Sequence, residues 1–324
     1  MKQITIQEND AGQRIDKYLK KLLVRAPANL IYKMFRKKDV KINGKAVNEK
    51  YILTRGDILS LFLYEDKFIE LTEEKEIHDI EITFDVLYED AQILVVNKPV
   101  GLLVHEDNNE RINTLSNQVL KYLHQKGEYN LHREQSFIPG PAHRLDRNTS
   151  GIVIFGKTLA ALQTLHEMIK RHDCIEKRYL TIVKGKVAKA EDLQGYIKKL
   201  DDKAKVIFVK KNSEGALFMH TKVFPRKCGE KYSLVEVQIL TGRMHQIRLH
   251  LASIQHPIIG DAKYGDFQSN RELKQKFHLQ HQLLHAYKIR FTKTFNTLAY
   301  LEGKEIISLL PKQFKQIENK LVKL

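Results

Sequence analysis

The run His143-Arg144-Leu145-Asp146-Arg147-Asn148-Thr149-Ser150-Gly151 sets one carboxylate among two arginines and a histidine. An apolar, β-branched stretch, Ile152-Val153-Ile154-Phe155, follows at once. A lone acid among fixed positive charges, at the edge of a buried strand, is held in its ionised form. An ionised carboxylate can serve as a nucleophile. A solvated Asp–Arg pair in a loop is the plainer account of the same residues, because structural ion pairs also perturb pKa.

The elements that must position these residues can be read from periodicity. From about Ile82 onward the chain reads as mixed α and β. Ile93-Leu94-Val95-Val96-Asn97-Lys98-Pro99 has the form of a buried strand ended by proline, and Leu102-Leu103-Val104 continues after Gly101. Leu159 to Ile169 has helical apolar spacing. Tyr179 to Val183, Ala216 to Val223 and Leu234 to Leu240 read as strands. Thr241-Gly242-Arg243 reads as a tight turn, followed by a helix that buries Met244, Ile247, Leu251 and Ile254.

The N-terminal part differs in character. Between Gly12 and Leu63, Ile15, Leu19, Leu22 and Leu23 repeat at helical spacing, and Arg14, Lys17, Lys20 and Lys21 occupy much of the remaining surface. Leu30, Met34 and Phe35 mark a second helix whose polar side carries Lys33, Arg36, Lys37 and Lys38. Val40 to Val47 alternates around Asn43-Gly44, the signal of a hairpin with a type I′ turn. Ile58 to Leu63 reads as a last strand. This order, with Arg14-Ile15-Asp16-Lys17-Tyr18-Leu19 and Val40-Lys41-Ile42-Asn43-Gly44, resembles the alpha-L RNA-binding domain of a small-subunit ribosomal protein and tyrosyl-tRNA synthetase. That resemblance implies that Arg14, Lys17, Lys37 and Lys38 contact phosphates, which give affinity and position but little sequence information. Residues 64–81 are acidic (Glu65, Asp66, Glu70, Glu73, Glu74, Glu76 and Asp79) and read as a solvated linker.

The nonapeptide around Asp146 resembles the catalytic motif of the RluA-type pseudouridine synthases. Asn97-Lys98-Pro99-Val100-Gly101 with His105 is similar to an early element of that family. Lys177-Arg178-Tyr179 with Gly185 is similar to its second motif. Thr241-Gly242-Arg243-Met244-His245-Gln246-Ile247-Arg248, with His256-Pro257-Ile258-Ile259-Gly260-Asp261, is similar to its third. The domain order resembles the subgroup acting on large-subunit ribosomal RNA. The fold implied is α+β: an alpha-L RNA-binding domain over 12–63, a linker over 64–81, and a catalytic domain with a mixed, largely antiparallel sheet over 82–324.

The resemblance implies an isomerase that breaks the uridine N-glycosidic bond and rejoins ribose to carbon 5 of the same base. Asp146 would attack the sugar or promote proton loss at carbon 2′. Tyr179 would stack on uracil or move a proton. Arg243 is expected to pair with Asp146, since a guanidinium stays charged and grips a carboxylate bidentately. The target uridine must be flipped out of folded RNA. Arg144 would fill the vacated space or grip a phosphate, Arg147 and Arg248 would contact phosphates, and Ile247 would pack beneath uracil.

Bulk composition agrees with an RNA partner. Fifty-five Lys and Arg against thirty-nine Asp and Glu leave a net charge of +16. Cys174 and Cys228 form no zinc spacing and no disulfide framework, which suits a cytoplasmic location. Neither a signal peptide nor an apolar span of membrane length is visible. The expected cofactor list is empty: there is no nucleotide-binding glycine pattern, Asp201-Asp202 sits among lysines, and His281 and His285, one helical turn apart, lack the glutamate of a zinc-protease motif. No obligate protein partner is evident. A non-catalytic ribosome-assembly factor would not need Asp146, Tyr179 and Arg243 together, and an RNA methyltransferase would show a glycine-rich loop that is missing.

Overall fold

The computed structural model describes residues 1–72, 76–130, 136–199 and 206–322. The chain forms two compact units. One comprises Met1–Ile82, Ser116–Gly140 and Gly156–Gln163, and the other Thr83–Leu115, Pro141–Phe155 and Thr164–Leu324.

In the first unit, helices Ile15–Leu22 and Ala28–Arg36 accompany an antiparallel sheet with strand order Lys2–Thr5, Ile58–Leu61, Val40–Ile42, Lys45–Ala46. Ile15, Leu19, Leu22 and Leu23 are all buried, as their period requires, and Ile31 joins them. Asn43 and Gly44 both take positive φ, 50° and 79°, which is the type I′ hairpin geometry. Two features differ from expectation. The strand Lys2–Thr5 lies ahead of Gly12 and pairs with Ile58–Leu61. The acidic segment is not simply a solvated connection, because Glu65–Leu71 is a helix whose Leu71 enters the module core with Phe68 packed beside it. Apolar residues three apart anchor this helix while its acids face water. Glu73 and Glu74 lie outside the described residues.

The second unit is built on a mixed sheet. Its strands run in the order Val206–Val209, Glu191–Lys199, Leu217–Cys228, Tyr232–Ile239, Ile175–Lys184, Leu284–Phe291, Ser150–Gly156, Ile93–Lys98, Asp85–Glu89. Most neighbours are antiparallel, but Leu284–Phe291 and Ser150–Gly156 are parallel. Residues 152–155 are fully buried, as their unbroken apolar run demands. The Leu159–Arg171 helix also forms where its period places it.

The element after Thr241-Gly242-Arg243 is shorter than expected. The helix is Gln246–Ser253, so Met244 precedes it and is 37% exposed, and Ile254 is only partly buried. His281 and His285 are not one helical turn apart, because His285 sits in the strand Leu284–Phe291. Asp201-Asp202 lies outside the described residues. Among the described residues no helix is long and apolar enough to cross a membrane.

Candidate active site

Asp146 sits in the loop that feeds the Ser150–Gly156 strand. Three strands fix what stands near it. Tyr179 and Gly151 are both in register with Ala286, which lies on the strand between them. Gly151 has φ +113°, and a Cβ built there would lie 2.2 Å from the Ala286 carbonyl oxygen. Only glycine allows the strand carrying the Asp146 loop to come this close.

The loop is clamped from behind by Lys98. Its fully buried Nζ donates to the carbonyl oxygens of Pro99 at 2.9 Å, Leu102 at 2.8 Å and Arg147 at 3.0 Å. The Gly101 amide also donates to the Arg147 carbonyl, at 3.0 Å. Three carbonyls use all three N–H bonds of an ammonium. Burial pulls the Lys98 pKa down to about 7, against the opposing pull of Asp146. The Thr149 amide donates back to the Asp146 carbonyl at 3.0 Å.

The cation that meets the carboxylate is Arg248, not Arg243. Arg248 Nη1 donates to Asp146 Oδ2 at 3.0 Å, while its Nε and Nη2 donate to the two oxygens of Asp261 at 2.7 and 2.8 Å. Arg248 falls within the first turn of the Gln246–Ser253 helix, on its buried side. Arg243 stands before the turn, and its Nε donates to the Phe218 carbonyl at 3.0 Å. Gln246 locks this turn: its Oε1 accepts from Thr241 Oγ1 and the Arg243 amide, and its Nε2 donates to the His220 carbonyl and Thr221 Oγ1.

Asp261 is buried, and burial alone would push its carboxyl up. The Arg248 bonds and the amides of Lys263 and Tyr264 outweigh that and hold it below the usual carboxylate range. Burial likewise opposes the Arg248 charge, and Asp261 and Asp146 together raise its pKa. The Asp146 side chain remains 30% exposed, against 7% for Arg248. The carboxylate is therefore anchored on one side and open on the other. Burial, then the Asp146 charge, push the Tyr179 phenol well above its ordinary range.

Two further groups border Asp146 that the sequence reading gave no role. His245 Nε2 lies 3.9 Å from Asp146 Oδ2, and Tyr264 packs against both His245 and Arg248. The signal for Asp261 was its place in the third motif, and for His245 and Arg248 their spacing of three across a helix start.

His143, the first residue of the motif, is an acceptor for the Ile154 amide at 3.3 Å, with burial pulling its pKa down to about 3. Arg144 and Arg147 have exposed side chains, and Ile247 is buried. In the first unit Lys17, Lys37 and Lys38 are exposed, whereas Arg14 is held bidentately by Asp16 at 2.9 and 3.0 Å. No cluster of three or more His, Cys, Asp or Glu able to hold a metal occurs among the described residues.

Residues 92–253 match the family model for RNA pseudouridylate synthase. An uncharacterized RNA pseudouridine synthase of Mycoplasma capricolum is 33% identical, over 95% of this chain and 97% of its own length. The ribosomal large subunit pseudouridine synthase C of Escherichia coli K12 is 33% identical, over 90% of this chain and 89% of its own. Among solved structures, human RNA pseudouridylate synthase domain containing 4 superposes with a TM-score of 0.56 at 25% identity, covering 73% of this chain and 92% of that one.

Proposed function

This chain belongs to the RNA pseudouridine synthase family, and from that premise we propose that it isomerises specific uridines of large-subunit ribosomal RNA with Asp146 as the reacting carboxylate. The observation that carries the reading is the Asp146–Arg248 pair, in which a cation already fixed by Asp261 aims a partly exposed carboxylate into open space. The ribosomal substrate is suggested by relatives that share about a third of their residues over most of their length and carry that substrate in their names. A cytoplasmic location fits such a substrate.

The chemistry follows from these groups. The uridine leaves its stack so that its anomeric carbon can reach Asp146. Asp146 attacks that carbon or promotes proton loss at carbon 2′, and the electron pair of the broken bond departs with uracil. Glycosidases usually divide this work between two carboxylates. A uracil anion is a better leaving group than an alkoxide, so hydrogen bonds can replace the acid. Tyr179 lies against the base and, with its phenol held protonated, is a donor. Arg144, Arg147 and Ile247 border the flipped nucleotide. Arg243 takes a phosphate-contacting role, since its partner on the protein is a neutral carbonyl. The N-terminal module is of alpha-L type and adds phosphate contacts through Lys17, Lys37 and Lys38.

The test is tritium release from unmodified large-subunit RNA labelled at uridine carbon 5, because the new carbon–carbon bond expels that hydrogen. Wild type is expected to release tritium. Asp146→Asn should release none while its RNA affinity stays within about threefold, since the change removes no phosphate contact. Turnover by Asp146→Asn would remove Asp146 from the chemistry.

A further inference from the structure

His245 occupies an unusual position. It is the residue just before the Gln246–Ser253 helix, and its backbone is left-handed, with φ 55° and ψ 18°. A non-glycine residue there costs roughly 1 kcal/mol, and such residues cluster at functional sites. The twist aims the ring at Asp146: Nε2 stands 3.9 Å from Asp146 Oδ2, with the side chain only 9% exposed. At that distance the two groups do not bond each other, so Nε2 is not committed to Asp146.

The other ring nitrogen has a hydroxyl partner. His245 Nδ1 and the Tyr264 hydroxyl are 2.9 Å apart. That same hydroxyl oxygen accepts the Val206 amide at 3.4 Å, which leaves its own hydrogen available to Nδ1. The rings meet edge to face with centroids 5.5 Å apart, which fixes the imidazole plane. With Nδ1 accepting from Tyr264, the ring hydrogen is on Nε2, on the Asp146 side, and this is the tautomer the proposal below uses. The charged and titratable groups around the ring are Asp146, Arg248, Lys263, Asp261 and Tyr264. Burial leads in lowering the pKa, with Asp146 opposing, which favours the neutral ring.

We propose that His245 is a catalytic residue, donating its Nε2–H to the uracil carbonyl oxygen at carbon 2 as the base departs. That oxygen is the base oxygen nearest the anomeric carbon, and it takes up part of the negative charge when the glycosidic electron pair moves to N1. The hydrogen stays on His245 throughout, so no proton has to be returned. A preorganised donor aimed at developing charge typically contributes about 100-fold or more in rate. The assignment rests on Asp146 acting at the anomeric carbon, as argued above.

Three substitutions test it in single-turnover tritium release from the labelled large-subunit RNA. The glutamine side-chain nitrogen reproduces imidazole Nε2. The asparagine nitrogen reproduces Nδ1 and suits the left-handed backbone better. Phenylalanine keeps the ring without a donor. His245→Gln is expected to stay within about fivefold of wild type, and His245→Asn and His245→Phe to fall about 100-fold, with RNA affinity unchanged in all three. A purely structural role predicts the opposite order, with asparagine the best tolerated. Asparagine matching or exceeding glutamine, all three variants equally impaired, or phenylalanine near wild type would overturn the assignment and leave the Asp146 reading standing. An inert wild type, or an active Asp146→Asn, would sink both.

Discussion

Arg248 binds two carboxylates with three of its donors and is nearly excluded from solvent. The two acids differ in what they do with it. Asp261 is buried, fully satisfied and spends its remaining lone pairs on the Lys263 and Tyr264 amides, so it serves to fix the guanidinium. Asp146 takes one hydrogen bond from Arg248 and stays 30% exposed. Removing the shared cation strands one buried acid, and removing the exposed acid strands nothing. Arg248→Met is therefore expected to lower stability by about 3–5 kcal/mol, and Asp146→Asn by about 1 kcal/mol or less, in urea unfolding. Arg248→Lys retains charge but has no planar fork, so it should recover part of the stability while turnover stays at least tenfold down. Equal stability losses for Arg248→Met and Asp146→Asn would contradict this division of labour. Asp146 itself was legible in the sequence because its neighbours are contiguous with it. Its partner was not, because Arg243 and Arg248 carry the same chemistry five residues apart. Only the true helix start, at Gln246, decides which one faces inward.

At the level of elements, the parallel contact between Ser150–Gly156 and Leu284–Phe291 brings the Asp146 loop beside the strand that carries Tyr179. Gly151 makes it possible. Two glycines with positive φ separate the causes of strain: at Gly151 an added Cβ meets the Ala286 carbonyl at 2.2 Å, whereas at Gly44 it meets nothing within 4 Å. Gly44→Ala bears only the left-handed backbone penalty, about 1–2 kcal/mol. Gly151→Ala adds a backbone clash that no rotamer relieves, so its loss should exceed about 3 kcal/mol. Its turnover should fall even below the melting temperature, because the displaced strand follows the loop that carries Asp146, the carboxylate proposed to react. Melting curves and single-turnover rates on both variants check this, and a similar cost at the two sites would show that the Ala286 contact yields easily. Local rules were a good guide where the determinants are local. The Asn43-Gly44 hairpin, the Ile15–Leu22 helix and the buried run at Ile152–Phe155 formed as expected. The Glu65–Leu71 helix was hidden because its acids dominate the composition, while the apolar residues that pack it, Phe68 and Leu71, are few. The Lys98 clamp was hidden because its partners include Arg147, far along the chain, which no spacing rule connects.

For the whole molecule the dominant quantity is the charge, +16 over 324 residues. Such a field speeds encounter with RNA, but only cations free to meet phosphates release counterions and set the salt dependence of binding. Cations held by carboxylates within the fold contribute less, because their release of counterions has already been given up to an internal partner. Arg14 is of this kind, gripped by Asp16. Lys17, Lys37 and Lys38 are exposed and, among the described residues, pair with no carboxylate. Replacing these three lysines together by glutamine should flatten the slope of log affinity against log salt by about 2 to 3, at roughly 0.7 to 0.9 per lost phosphate contact. Arg14→Gln should change the slope by less than about half of one contact. Rate at saturating RNA should be unaltered in the triple variant, since none of these lysines enters the chemistry at Asp146. Filter binding of labelled large-subunit RNA across a salt series, paired with single-turnover tritium release, gives both quantities. An unchanged slope in the triple variant would mean that these three lysines do not grip the backbone.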